Sequence, residues 1–203
     1  IVAGSDRITW LAESLLLLAR DARPQLVEAL GLRAAIEEVC GELVMYDNGA
    51  FSAWTKGKAT DWPGYYAWLE PRLTGERWAV IPDIIDGDEA ANDRLLDEWP
   101  LGKFFGAPVW HMHESLARFE RLCRSWPRVC IGSSGDFAVV GNEKWWNRIN
   151  QAMEVGTDQQ GFPLCKLHGL RMLNPKIFTK LPFASADSTN IGLLVLSFLR
   201  GHF

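Results

Sequence analysis

The stretch that decides the fold is Trp78-Ala79-Val80-Ile81-Pro82-Asp83, followed by Asp86-Gly87-Asp88 and a helical pattern that runs to Trp99. A short apolar run closed by a proline and an acid reads as a buried strand, and the polar start after Gly87 reads as a helix beginning. Together they make one βα unit with a carboxylate at the C-terminal end of its strand. The same pattern recurs in both directions along the chain. Further strand-like runs are Ile1–Gly4, Leu43–Tyr46, Pro108–Met112, Val129–Gly132, Leu164–His168 and Phe183–Ala186. Helical patterns fill the gaps at Thr9–Arg20, Pro24–Val39, Trp62–Leu69, Gly87–Trp99, Glu114–Ser125, Asn142–Val155 and Pro175–Lys180. Units return roughly every 25 to 35 residues, as a βα repeat requires. No GxGxxG follows the first strand, which counts against a doubly wound dinucleotide fold. The expected fold is therefore α/β, a compact (β/α)8-type TIM barrel over residues 1–203 as a single domain. Its last unit is incomplete or atypical: the apolar tail Ile191–Leu199 suits barrel closure or a dimer interface, and a homodimer or an accessory subunit is the partner to expect beside the substrate.

Composition narrows the class. With 203 residues, 48% of them hydrophobic and 23% charged, the chain is long enough to bury a core and too apolar for disorder. A net charge of −4 argues against coating nucleic acid through bulk charge, though not against a local basic surface. Lys56 and Lys58 in one loop are candidates for such a surface, as are Arg118, Arg121, Arg124 and Arg128 around one helix. The four cysteines, Cys40, Cys123, Cys130 and Cys165, form no CxxC pair, so neither a disulfide framework nor a local zinc knuckle is expected. Scattered thiols, the lack of a signal peptide and the lack of a membrane-length apolar run point to a cytoplasmic protein away from membranes. The chain begins at Ile1 in a strand-like run, so natural N-terminal residues are expected before it. Ten Trp have two readings, as core filling and as stacking platforms for flat ligands.

A barrel puts its active site on the residues that follow its strands. Here these are Ser5-Asp6, Asp47-Asn48-Gly49, Asp83 with Asp86 and Asp88, His111 through Glu114, Ser133 through Asp136, His168-Gly169, and Asp187 through Asn190. Nearly every strand end carries a titratable group. Asp86, Asp88, Glu114 and Ser115 also suit helix starts, and Asp136 a turn. Asp47, Asp83 and Asp187 sit directly on apolar strand ends, where capping explains less. His111 and His113 are expected on opposite faces if the strand runs through both. Gly49 and the Gly132–Gly135 loop leave room for a ligand to approach the backbone, and the latter could cradle a phosphate. No HExxH is present, so a metal is not expected at the site.

Four segments, in order, resemble the queuine/archaeosine tRNA-guanine transglycosylase superfamily, most closely its short phage and bacterial DNA-modifying relatives. They are Tyr46-Asp47-Asn48-Gly49-Ala50-Phe51, Pro82-Asp83, Gly132-Ser133-Ser134-Gly135, and Phe183-Ala184-Ser185-Ala186-Asp187-Ser188. The resemblance implies exchange of guanine in a nucleic acid (DNA or tRNA) for a 7-deazaguanine base, without a cofactor. It implies Asp187 as nucleophile and Asp47 as general acid/base. Asp83 would bind the base, with Asn48, Gly49, Phe51, His111, Ser134, Gly135 and His168 as further substrate contacts. The three Cys and one His of the tRNA enzymes' zinc site are missing and Asn48 stands where that family has Ser, so DNA is favoured over tRNA. Two other classes fit the same strand-end residues. One is a barrel hydrolase of a nucleoside or small sugar, metal-dependent or carboxylate-based; the other is a non-catalytic nucleic-acid-binding barrel.

Overall fold

Parallel pairing runs through every strand ladder of the computed structural model, which describes residues 44–187. The elements all belong to one unit, Met45–Asp187. In chain order they are β1 (Met45–Tyr46), α1 (Ala50–Thr55), α2 (Trp62–Leu69), β2 (Trp78–Val80), α3 (Glu89–Asp97), β3 (Gly106–Ala107) and β4 (Val109–His111). There follow α4 (Leu116–Ser125), β5 (Arg128–Gly132), a 3-10 turn (Gly135–Phe137), α5 (Glu143–Gly156), β6 (Lys166–Gly169), α6 (Pro175–Phe178) and β7 (Ser185–Ala186). The expected elements Ile1–Gly4, Thr9–Arg20, Pro24–Val39 and Ile191–Leu199 lie outside the described residues.

The ladders form two sheets, β1-β2-β3 and β4-β5-β6-β7. Only Pro108 separates them. Proline has no N–H to give a ladder, so it divides what would otherwise be one strand. Before it, Ala79 and Val80 pair with Gly106 and Ala107. After it, Val109, Trp110 and His111 pair with Cys130, Ile131 and Gly132. The Pro108 carbonyl still accepts from the Cys130 N–H at 2.8 Å, so the two sheets meet along that segment. Strands thus lie side by side in chain order, with no reversal of direction across the sheet. This is a mixed α/β fold with parallel sheets, as the alternation of apolar runs and helical patterns predicts. Among the described residues no ladder joins β1 to β7.

One face of the sheet gathers Met45, Trp78, Val80, Ala107, Val109, Cys130 and Leu170 into a single apolar cluster. The sheet curls over that face, since the Trp78 ring on β2 meets the His168 ring on β6, centroids 5.3 Å apart, with two strand positions between them. The other face carries the helices. Trp110 packs on Phe119 of α4 with centroids 4.6 Å apart, and Phe119, Leu122, Trp145 and Ile149 are all buried there. Burying such side chains supplies most of the drive to fold, at roughly 1.5–3 kcal/mol each. Helix starts follow the sequence: Asp88 caps α3 by accepting from the Ala91 N–H, Ser115 caps α4 through Arg118 N–H, and Asn142 caps α5 through Trp145 N–H. Among the described residues no helix is long and apolar enough to cross a membrane.

Two details depart from the sequence expectation, the start of α1 and the arginines, while the thiols agree with it. α1 begins at Ala50, where only a loop is expected, because Gly49 turns the chain with φ 72° and starts a helix at once. Cys123, Cys130 and Cys165 are free thiols, and the first two are buried. The arginines around α4 form no basic surface. Arg118 and Arg121 are paired with Asp93 and Arg124 with Glu120, while Arg128 reaches Glu76.

Candidate active site

The C-terminal ends of β1, β2 and β4 are joined by one hydrogen-bonded chain. Asn48, just after β1, accepts from the Ala50 N–H through its side-chain oxygen at 2.8 Å. Its amide nitrogen then donates to the Ile81 carbonyl at 2.8 Å and to Asp83 Oδ1 at 2.6 Å. The other Asp83 oxygen accepts from His111 Nε2 at 2.8 Å. A carboxylate only accepts, so His111 carries its proton on Nε2. Asp83 and His111 are both buried, which makes this pairing obligatory for either.

β4 ends at His111, and the chain then turns. The two histidines therefore do not point to opposite faces; their rings stack with centroids 5.7 Å apart and planes 20° from parallel. His113 Nε2 lies 3.1 Å from the Gly87 carbonyl, which can only accept, so this nitrogen holds the proton. Nδ1 then accepts from the Ser134 hydroxyl at 2.8 Å. Gly135, with φ 54°, lies directly behind: a side chain there would meet the His113 Cβ at 3.1 Å. The Gly132–Gly135 loop thus backs onto His111 and His113, and Ser133 accepts from the buried Trp145 indole N–H at 2.9 Å.

Asp187, directly after β7, is tied to the end of β6 and the segment that follows it by three bonds. Its N–H donates to the Gly169 carbonyl at 3.2 Å, its carbonyl accepts from the Leu173 N–H at 2.8 Å, and its carboxylate accepts from the Arg171 N–H. Arg171 is the one non-glycine among the described residues with positive φ, at 59°. Its guanidinium lies over the Phe51 ring, 4.0 Å from the centroid, so the loops after β1 and β6 touch. Gly49 has open space where a side chain would project. Asp47 is exposed, Asp187 half-buried and Asp83 buried.

These three carboxylates act on one point. Cys130, on the inner face of β5, has its thiol pushed well above the ordinary range, first by burial and then by the charges of Asp187, Asp83 and Asp47. Tyr65 of α2, whose hydroxyl donates to the Val80 carbonyl at 3.0 Å, is also raised, by burial and then by Asp47, with Asp83 adding to it. Three strand ends therefore share one electrostatic neighbourhood, although 140 residues of chain separate the first from the last.

His168 faces the same interior. Its Nδ1 is 2.7 Å from Ser185 Oγ, its Nε2 has no partner among the described residues, and burial lowers its pKa to about 4. A histidine held neutral by burial makes the fold acid-sensitive. Above its unfolded pKa of about 6.5 both states are neutral and nothing is lost. Between that value and about 4 only the unfolded chain takes the proton, so stability falls with pH by up to about 3 kcal/mol in all, then levels off. Urea unfolding at several pH values should show a shallower decline for His168→Gln than for the parent. Identical slopes would remove this account.

The remaining strand-end residues have other work. Asp88 and Ser115 cap helices, Asp86 and Asp136 are exposed, and Asp136 lies 3.9 Å from Lys144. Glu114 does not cap α4. It is buried between Asn92, the His111 N–H and Arg118. Sequence reasoning misses Arg171, since nothing local marks a residue that must adopt a left-handed backbone. It also misses Tyr65, whose only signal is an aromatic pair in a short apolar helix. Among the described residues no group of three His, Cys, Asp or Glu is placed to hold a metal ion. Comparison of the chain with protein-family models, with curated proteins and with solved structures gives no match.

Proposed function

We propose that this chain is a base-exchange transglycosylase on a (β/α)-barrel frame, replacing guanine in a nucleic acid, DNA in preference to tRNA, with a 7-deazaguanine base. Strands in chain order and the Trp78–His168 contact across the curled face support the barrel. The observation that carries the function is geometric: Asn48, next to Asp47, donates to Asp83, and Arg171, whose N–H holds the Asp187 carboxylate, lies over Phe51 in the loop after Asp47.

The chemistry follows from their settings. Asn48 and His111 use one lone pair on each Asp83 oxygen, and the others remain to accept N1–H and the exocyclic N–H of a guanine-like base. Phe51 offers an exposed ring for stacking, while Gly49 keeps the approach clear. The Asp187 carboxylate attacks C1′ of the sugar. The C1′–N9 bond breaks, its electron pair leaves with guanine, and Asp47 in its acid form supplies the proton. In the return step Asp47 takes N9–H from the incoming deazaguanine, N9 attacks C1′, and the bond to Asp187 breaks to restore the carboxylate. His111, His168, Ser134 and Gly135 line the same strand ends as contacts for the rest of the base or the sugar. The reacting nucleotide has to be single-stranded or flipped from its stack.

The test is incorporation of a radiolabelled 7-deazaguanine base into single-stranded DNA, duplex DNA and tRNA. Label in DNA with equimolar release of guanine is expected; no label in any of the three overturns the reading. A second reading, carboxylate-based hydrolysis, draws on the same pair, since water in place of the incoming base would free the sugar. It is distinguished by abasic sites forming without any incorporated base.

A further inference from the structure

Arg171 keeps a side chain where a glycine would be cheaper. A non-glycine residue at φ 59° costs roughly 1–2 kcal/mol, and the backbone N–H that bonds the Asp187 carboxylate would be present in a glycine too. The side chain must therefore repay that strain elsewhere. It is exposed, has no ion pair among the described residues, and is fixed over the Phe51 ring at 4.0 Å. Phe51 in turn packs against Trp54, ring centroids 5.9 Å apart, and Trp54 is itself 50% exposed. α1 then runs into Lys56 and Lys58, both exposed and likewise without an ion pair among the described residues. From Lys58 and Lys56 to Arg171, cations flank the exposed Trp54 and Phe51 rings, and the series ends at Asp187. This surface suits one kind of occupant, a flexible polyanion with flat groups along it. It does so in a chain of net charge −4, where such a cluster is not a bulk effect.

We infer that Arg171 grips the phosphate next to the reacting sugar and that the strip Phe51–Trp54–Lys56–Lys58 carries the adjoining single strand away from the site. This rests on the proposed function only in seating the sugar at Asp187; strand binding stands by itself. Through one residue, the backbone orients the attacking carboxylate and the side chain holds the polymer. Arg171 is thus a positioning residue as well as a binding one.

The experiment is fluorescence anisotropy with a fluorescein-labelled single-stranded DNA oligonucleotide and the RNA of the same sequence, over a range of salt. Arg171→Gly relieves the strain and keeps the N–H, so its melting temperature should equal or exceed the parent's. Its affinity should fall about tenfold, with a salt slope smaller by about 0.7, the share of one phosphate contact on a single strand. Arg171→Lys should recover part of the loss, and Lys56→Glu with Lys58→Glu should weaken binding on its own. Tighter binding to one oligonucleotide identifies the polymer. The inference is overturned if Arg171→Gly matches the parent in affinity and slope, or if the parent binds neither strand. A parent that binds through Arg171 yet exchanges no base would instead remove the transglycosylase reading and leave this one standing.

Discussion

Asp187→Ala should form no covalent bond to nucleic acid and should lose base exchange by a factor of about 10⁴ or more, the usual cost of deleting a nucleophile that acts within a unit. The loss should be chemical and not structural. The backbone bonds from Asp187 to Gly169 and Leu173 survive the substitution, while the carboxylate's contact with the Arg171 N–H goes. Denaturing electrophoresis of a labelled oligonucleotide reads the adduct directly, and urea unfolding confirms an intact fold. Asp47→Asn gives the complementary result. It keeps the nucleophile, so adduct should still form, though more slowly because the departing guanine lacks its proton donor, while turnover falls about 10²–10⁴-fold for want of an acid/base. An adduct of normal yield in Asp187→Ala would move the nucleophile to another residue. Equal loss of adduct in both variants would collapse the division of roles between them.

The second large effect is on stability. Glu114→Ala should cost about 3–5 kcal/mol, the range for removing one partner from a buried ion pair. Glu114 is 3% exposed and Arg118 1%, so neither can turn to water instead. The carboxylate accepts from Arg118 at 2.7 Å, from the His111 N–H at 2.9 Å and from Asn92 at 2.9 Å. Asn92 itself accepts from the Ile84 N–H at 2.8 Å, so one side chain links the ends of β2 and β4 to α3 and α4. Its loss takes the buried carboxylate from a buried guanidinium that keeps only the half-exposed Asp93 and the Val109 carbonyl as partners, and whose Nη2 already has none among the described residues. Urea unfolding measures the cost, and Glu114→Leu with Arg118→Met should recover much of it, because an apolar pair leaves no charge behind. A cost under about 1 kcal/mol for Glu114→Ala would mean that the pair is hydrated or neutral.

What could be foreseen from sequence follows the range of each signal. Apolar alternation and capping residues act within a few positions. Trp62–Leu69 is accordingly found at its expected ends, and the helix beginning after Asn142 lies within a residue of expectation. Strands of two residues, Met45–Tyr46 and Ser185–Ala186, are blurred within longer apolar runs, since pairing with a neighbour and not local composition sets their ends. Pro108 truncates its strand for a local reason, but its division of the ladder depends on the neighbours to either side. In the site, strand-end position alone marks Asp47, Asp83 and Asp187. It does not mark Glu114, which resembles a helix-start acid until partners 22 residues back come into view. Nor does it mark Arg171, whose backbone conformation leaves no trace in the letters around it.

Asp83 is already gripped by Asn48 and His111, and this settles when the penalty for stripping water from its carboxylate falls due. Folding bears that penalty, and a base arriving at Asp83 meets a group with its orientation fixed and little hydration left to shed. Recognition then turns on whether the base offers hydrogens where the two remaining lone pairs point. Guanine and its deaza relatives present both; hypoxanthine, without the exocyclic amine, would leave one dehydrated lone pair with nothing to accept. On the transglycosylase reading, selectivity among purines would thus be set by bonds that Asp83 already makes within the fold.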